Sequence, residues 1–139
     1  MEDFRHHPTV SRLFTLELAN TDYVVAGSGP LFVRGLIDSV SDLDIVARGD
    51  AWTRAQEFAE ARPAPFGGAL HVRLFELEIL DRWFPWLWPM DYIIDTADVF
   101  HGVRFVSLDV VRTVKQIMNR PKDHEHLAIM DEYLANGGR

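Results

Sequence analysis

The sequence predicts a single α+β domain in which helices pack on a mixed β-sheet, and two observations support this prediction. Short apolar runs, such as 23–26 and 43–48, have the length and the β-branched content of buried strands. Other segments, most clearly 108–118, carry apolar residues at helical spacing. The chain has 139 residues, enough for one hydrophobic core and too few for a second substrate domain, so the domain is expected to span 1–139.

The first elements lead to a turn that suits a phosphate group. Residues 9–20 place apolar side chains at near-helical spacing and predict a helix that covers one face of the sheet. The apolar run 23–26 then stops at Gly27 and Ser28, and Pro30 predicts that a short helix begins directly after Ser28. The start of a helix presents unpaired N–H groups and a positive dipole end, which attract anions. Gly27 would let the backbone approach a phosphate closely, and Ser28 would add a hydroxyl group.

The next strand carries two acids at its start. Asp42 and Asp44 are two residues apart, so in a strand they project to the same side, roughly 6.5–7 Å apart along the chain. Two carboxylates held this close repel each other unless a cation lies between them. Mg²⁺ takes oxygen ligands and prefers one or two carboxylates together with substrate phosphates. A phosphate cradle and a carboxylate pair, joined by one short helix, predict a site for a nucleoside triphosphate.

The whole pattern resembles the signature of the DNA polymerase β-like nucleotidyltransferases. Gly27 and Ser28 are followed by thirteen residues (29–41) and then by Asp42–Leu43–Asp44–Ile45. In that superfamily a hydrophobic strand precedes Gly-Ser or Gly-Gly, and about a dozen residues later Asp-x-Asp or Asp-x-Glu lies in a strand. The Arg-Pro-Lys-Asp segment 120–123 between two helices is similar to the C-terminal part of small (minimal) nucleotidyltransferase-like proteins of the toxin–antitoxin or antibiotic-modifying type. The resemblance implies a nucleotidyltransferase-like fold.

The resemblance also implies a third metal carboxylate, on a strand beside the Asp-x-Asp strand. Residues 69–80 are predicted to form a strand or a hairpin, and Glu76, Glu78 and Asp81 are the candidates there. Glu78 is preferred because it lies deeper in the apolar run, although the superfamily commonly has Asp at this place. The alternative is that these acids lie on the solvent side of a strand.

The remaining elements follow from their start and stop signals. Asp50 is predicted to be the N-cap of a helix of about a dozen residues, and 62–68 is predicted to be a loop. Residues 91–98 resemble a short helix or turn, and 99–106 predict two short strands around a Gly turn. The last two helices are predicted to be capped by Ser107 and by Asp123, and the second to end at Gly137–Gly138.

The aromatic segment Trp83–Trp88, followed by Pro89, fits no regular element. Its tryptophan and proline residues carry a large apolar area without a helical or strand period. Three interpretations remain open: a lid folded on the core, a surface for a protein partner or a second copy, and an edge on which a nucleotide base stacks.

The resemblance implies transfer of a nucleoside monophosphate from a nucleoside triphosphate, ATP in the first instance, to an acceptor hydroxyl on a small molecule or a protein. In this interpretation Asp42, Asp44 and Glu78 hold Mg²⁺ or Mn²⁺, Gly27 and Ser28 hold the β- and γ-phosphates, and Lys115 balances the developing charge. The alternative is a binding module on the same fold with weak or no catalysis, such as an antitoxin-like regulatory partner, because fold alone does not determine function.

Composition and charge restrict the other function classes. The formal net charge of −7 argues against a protein that binds nucleic acid directly, because such binding depends on Lys and Arg. The absence of cysteine excludes disulfides and thiolate zinc sites. No apolar run approaches the ~18–20 residues of a membrane span. Because residues 1–7 also lack the pattern of a signal peptide, a cytoplasmic protein is expected.

Overall fold

One mixed, open β-sheet forms the centre of the protein in a computed structural model that describes residues 4–65 and 67–138. Its strands are β1 (Tyr23–Ala26), β2 (Leu43–Ala47), β3 (Arg62–Pro63), β4 (Leu70–Leu74), β5 (Leu77–Leu80), β6 (Asp98–Phe100) and β7 (Val103–Phe105). Their order across the sheet is β3-β4-β5-β2-β1-β7-β6. The β1/β7 and β2/β5 pairs are parallel, and the other neighbours are antiparallel.

Helices lie on both faces of this sheet. They are α1 (Pro8–Thr15), α2 (Gly29–Val33), α3 (Gly49–Ala55), α4 (Met90–Asp95), α5 (Leu108–Met118) and α6 (Pro121–Ala135), and a short 3-10 helix (Phe4–His6) precedes them. One hydrophobic cluster joins α1 and α3 to the sheet, and a second joins α4, α5 and α6 to the opposite face. The predicted α+β class with a mixed sheet is therefore confirmed. Within the described residues, no helix combines the length and the apolar character that a membrane crossing requires.

The central strands β1 and β2 are apolar apart from Asp44, because helices cover both of their faces. Val25 and Ile45 are partners in the β1/β2 pair and belong to the cluster under α1 and α3. Val24 and Val46, the next partners, belong to the cluster under α4–α6. Side chains alternate between the two faces of a strand, so Asp44 lies on the same face as Val46. Asp44 therefore faces the side of the sheet that α4–α6 cover.

Several predicted boundaries were wrong. The helix expected after Asp50 has seven residues and begins at Gly49, with Arg48 as its N-cap. The expected loop 62–68 contains the two-residue edge strand β3, which pairs with β4; Phe66 lies outside the described residues. Helix α6 begins at Pro121 with Arg120 as N-cap, because proline suits the first helical position.

The aromatic segment is divided between the core and the surface. Trp83 and Phe84 are buried in the cluster under α4–α6, and Trp88 packs partly against that cluster. In contrast, the side chain of Trp86 is 61% exposed and leans on the Phe84 ring, with 5.2 Å between the ring centres. The first two residues of the segment are therefore part of the core, and Trp86 is available at the surface.

Candidate active site

The six residues singled out in the sequence line one cavity of about 360 Å³. These residues are Gly27, Ser28, Asp42, Asp44, Glu78 and Lys115. The cavity opens where β1 ends and where β2 and β5 begin, and α5 and the first turns of α6 form its other wall. Residues separated by almost 90 positions in the chain therefore face the same enclosed space.

The sheet register aligns the polar wall of the cavity. Asp44 is the partner of Ala26 in the β1/β2 pair and of Glu78 in the β2/β5 pair. Glu78 is in turn the partner of Arg73 in the β4/β5 hairpin. Neighbouring strands are about 4.8 Å apart, so these side chains form one row on the face that α4–α6 cover. Asp42 lies just before β2, at the open end of this row.

Gly27 is required at its position because the backbone passes directly against Asp44. Its φ angle of +62° lies in the left-handed region, and a Cβ atom there would come within 2.4 Å of the Asp44 Oδ2 atom. Burial, together with repulsion from Glu78 and Asp42, raises the pKa of Asp44 to about 6. The cavity therefore contains a carboxylate that lacks sufficient neighbouring positive charge.

Glu78 and Asp42 are already engaged by basic side chains. The Nδ1 atom of His71 lies 2.9 Å from Glu78 Oε2, and the guanidinium of Arg73 lies between Glu78 and Asp42. Among the described residues, no three His, Asp or Glu side chains converge as a metal-binding group. The residue types fit a hard divalent cation, since three carboxylates share one wall. Two of the three contact Arg73 in this structure.

The two other candidate acids lie outside the cavity. Glu76 accepts hydrogen bonds from Thr9 Oγ1 at 3.2 Å and from Arg12 Nε at 3.4 Å, on the side of the sheet that α1 covers. Asp81 accepts a hydrogen bond from the backbone N–H of Leu70 at 2.8 Å. Of the three acids considered, Glu78 is the one that lines the cavity.

Lys115 is the main cation of the opposite wall, and it is almost fully buried. Its Nζ atom lies 3.2 Å from Ser28 Oγ and 3.4 Å from Asp123 Oδ1. Burial lowers the pKa of Lys115, while the neighbouring Asp123 carboxylate acts in the opposite direction. Its ammonium group is thus held between the Gly27–Ser28 turn and a buried carboxylate, which fixes its direction.

Asp123 is a site residue that sequence reasoning assigned only to a helix cap. Its side chain is fully buried and accepts hydrogen bonds from the Arg120 backbone N–H and from Arg120 Nε at 2.7 Å. Burial would raise the pKa of Asp123, but the hydrogen bonds and charge of Arg120, with the charge of Lys115, lower it to about 2. Its position three residues after the N-cap gave no sign of this contact with Lys115.

Sequence reasoning also missed the contributions of Arg73, His71 and His126. His126 lines the cavity, and its buried Nδ1 atom has no hydrogen-bond partner among the described residues. Alternation in β4 could have placed His71 and Arg73 on one face, but only the hairpin register puts Arg73 opposite Glu78 and His71 within reach of it.

The chain matches no family model, no curated protein and no solved structure.

Proposed function

We propose that the protein is a metal-dependent nucleotidyltransferase with a nucleotidyltransferase-like fold. It would transfer a nucleoside monophosphate from a nucleoside triphosphate such as ATP to a hydroxyl group of a small molecule or a protein. The observation that carries the proposal is the polarised cavity, in which three acids face Lys115 and the Gly27–Ser28 turn.

The charges of this cavity match the two ends of a metal–triphosphate complex. The acidic wall would hold a divalent cation through Asp42, Asp44 and Glu78, because such cations take carboxylate oxygens. The basic wall would hold phosphate oxygens through Lys115 and Ser28, whose Nζ and Oγ atoms are already within hydrogen-bond distance of each other. Lys122, at the rim, adds a further positive charge close enough to act on Asp44.

Each wall would contribute differently to the reaction. Mg²⁺ or Mn²⁺, when bound, would supply charge neutralisation for the triphosphate and make the acceptor hydroxyl more acidic. Lys115, oriented by Asp123, would balance the negative charge that develops on the leaving phosphates. The apolar side chains of Trp83, Phe84 and Val111 line the same cavity and would exclude water from the phosphates.

The nucleotide and the metal are expected to bind together, because an acidic wall repels a bare triphosphate. Thermal unfolding should be measured with ATP and Mn²⁺, with ATP in EDTA, and with Mn²⁺ alone. ATP with Mn²⁺ at about 100 times the dissociation constant should stabilise the fold by about 2.7 kcal/mol, which is roughly 8 °C for this size. Equal stabilisation by ATP in EDTA would contradict the role of the carboxylates. A separate reaction with radiolabelled ATP would identify the transferred group.

A second candidate function is a binding module with weak or no catalysis. Two observations favour it: Glu78 is already held by His71 and Arg73, and Trp86 is 61% exposed. In that case wild-type protein should associate with itself or a partner in sedimentation experiments, and Trp86→Ala should abolish association while the circular dichroism stays unchanged. Metal-dependent transfer by a protein that sediments as a monomer before and after the substitution would contradict this function.

A further inference from the structure

The side chain of Arg73 lies between two of the three acids of the cavity. Its Nη2 atom is 3.4 Å from Asp42 Oδ1, and its Nη1 atom is 3.7 Å from Glu78 Oε2. Its Nε atom donates a hydrogen bond of 2.9 Å to the carbonyl oxygen of Phe75. All three nitrogen atoms of the planar guanidinium therefore have a partner, and the two terminal nitrogen atoms face carboxylates.

The β4/β5 hairpin fixes this position. Arg73 and Glu78 are direct partners across the hairpin, and Phe75, in the connecting turn, has a φ angle of +57°. The turn directs the Phe75 carbonyl oxygen towards the Arg73 side chain, where it accepts the hydrogen bond from Nε. Beyond the hairpin, its Nη2 atom reaches across β5 to Asp42, which precedes β2. The contact thus joins three neighbouring strands at one end of the sheet.

The guanidinium supplies the positive charge that paired carboxylates need. It neutralises Asp42 and Glu78 by direct contact, whereas the carboxylate of Asp44 feels it only at longer range. The three acids share one wall and yet do not converge among the described residues. The Arg73 guanidinium between two of them accounts for both observations.

We propose that Arg73 is a positioning residue that holds Asp42 and Glu78 in the metal-free protein and must move aside before these acids bind a divalent cation. This inference depends on the metal site of the proposed function. The Arg73 side chain is 47% exposed, so it has room to rotate into solvent. A cation arriving alone competes with a bound guanidinium, whereas a triphosphate brings negative charge to which the displaced guanidinium can turn. Arg73 would thereby favour joint entry of metal and nucleotide over binding of the bare metal.

The test measures Mn²⁺ binding to the full chain without nucleotide, by titration calorimetry and by the electron paramagnetic resonance signal of free Mn²⁺. Arg73→Gln should bind Mn²⁺ roughly tenfold more tightly than wild type, because it removes the guanidinium that competes with the cation for Asp42 and Glu78. Arg62→Gln is the matched control. It removes the same charge from the adjacent strand β3, where Arg62 is exposed and contacts only Glu60 among the described ion pairs. Its Mn²⁺ affinity should equal that of wild type.

Arg73→Lys gives a second measurement in case Arg73→Gln does not fold. A lysine keeps the charge but cannot span both carboxylates, so it should tighten Mn²⁺ binding by a smaller factor. Unchanged or weaker Mn²⁺ binding in folded Arg73 variants would overturn the role of Arg73 and leave the proposed function intact. If no variant binds Mn²⁺, with or without ATP, the metal site of the proposed function fails and this inference fails with it.

Discussion

Replacement of Asp44 by Asn should stabilise the metal-free protein and, in the same molecule, reduce metal-dependent nucleotidyl transfer by about a hundredfold or more. The loss of transfer follows from the position of Asp44, which lines the cavity beside the carboxylates of Glu78 and Asp42. Substitution of a group that only supports a metal ligand costs roughly 10–100-fold, so loss of a ligand itself should reach at least the upper end. Transfer from labelled ATP measures this effect.

The gain in stability should depend on pH. Burial and the charges of Glu78 and Asp42 raise the pKa of Asp44 to about 6 in the folded state, above its usual value of 3.8. The folded protein therefore holds this proton more tightly than the unfolded chain, and the ionised group destabilises the fold as the pH rises through 6. Urea unfolding should show a larger gain for Asp44→Asn at pH 8 than at pH 5.

An exposed acid provides the control for this substitution. Asp38→Asn removes the same charge from a residue that does not line the cavity. It should therefore change neither the rate of transfer nor the pH dependence of the unfolding free energy. A destabilised Asp44→Asn protein at pH 8 would show that the Asp44 carboxylate makes a favourable contact. It would contradict the expected destabilisation by burial and by repulsion from Glu78 and Asp42.

Replacement of Asp123 by Ala should cost about 3–5 kcal/mol of unfolding free energy, because it leaves the buried Lys115 ammonium without its carboxylate. It also removes the hydrogen bond to the Arg120 backbone N–H that completes the first turn of α6. Urea unfolding at pH 7 measures this loss. Asp131→Ala is the control on the same helix, since its ion pair with Arg112 also joins α5 and α6 but is exposed. Its effect should be much smaller, because solvent screens exposed pairs.

Acid unfolding tests the same contact by protonating the Asp123 carboxylate. The folded pKa of Asp123 is about 2, below its usual value of 3.8, so its contribution to stability is complete above pH 4 and is lost as the pH falls towards 2. Wild-type stability should therefore fall between pH 4 and 2 more steeply than that of Asp123→Ala. Parallel curves for the two proteins would contradict a buried ionised carboxylate at this position.

Local sequence signals were sufficient for one half of the candidate site. The run 23–26, the Gly27–Ser28 turn and the Asp42–Asp44 pair lie within about twenty residues, and their conformations depend on short-range rules. Glycine at a positive φ angle, proline at a helix start and alternation in a strand are such rules. The strands around these residues were predicted from their short apolar runs, which are also a local signal.

Lys115 illustrates the boundary between local and tertiary information. Helical spacing predicted α5 and its Ser107 cap, and the family resemblance suggested a role for Lys115. Helical spacing places Lys115 and Arg112, three residues apart, on one side of α5. In the structure, however, Lys115 is buried and Arg112 reaches Asp131. Periodicity gives the angle of a side chain on its helix, but the neighbouring helix decides which angles are buried.

Only the tertiary structure decided which charges meet. The register of the β4/β5 hairpin places Arg73 and His71 beside Glu78, and a shift of one residue would have sent both to the opposite face of the sheet. The packing of α6 on α5 likewise brings Asp123 to Lys115. Pairing between distant segments depends on the summed burial of the whole core, whereas turns, caps and strand periods depend on a few adjacent residues. The sequence by itself therefore determined the glycine turn and the Asp42–Asp44 pair. The tertiary structure alone determined which acids and cations contact each other.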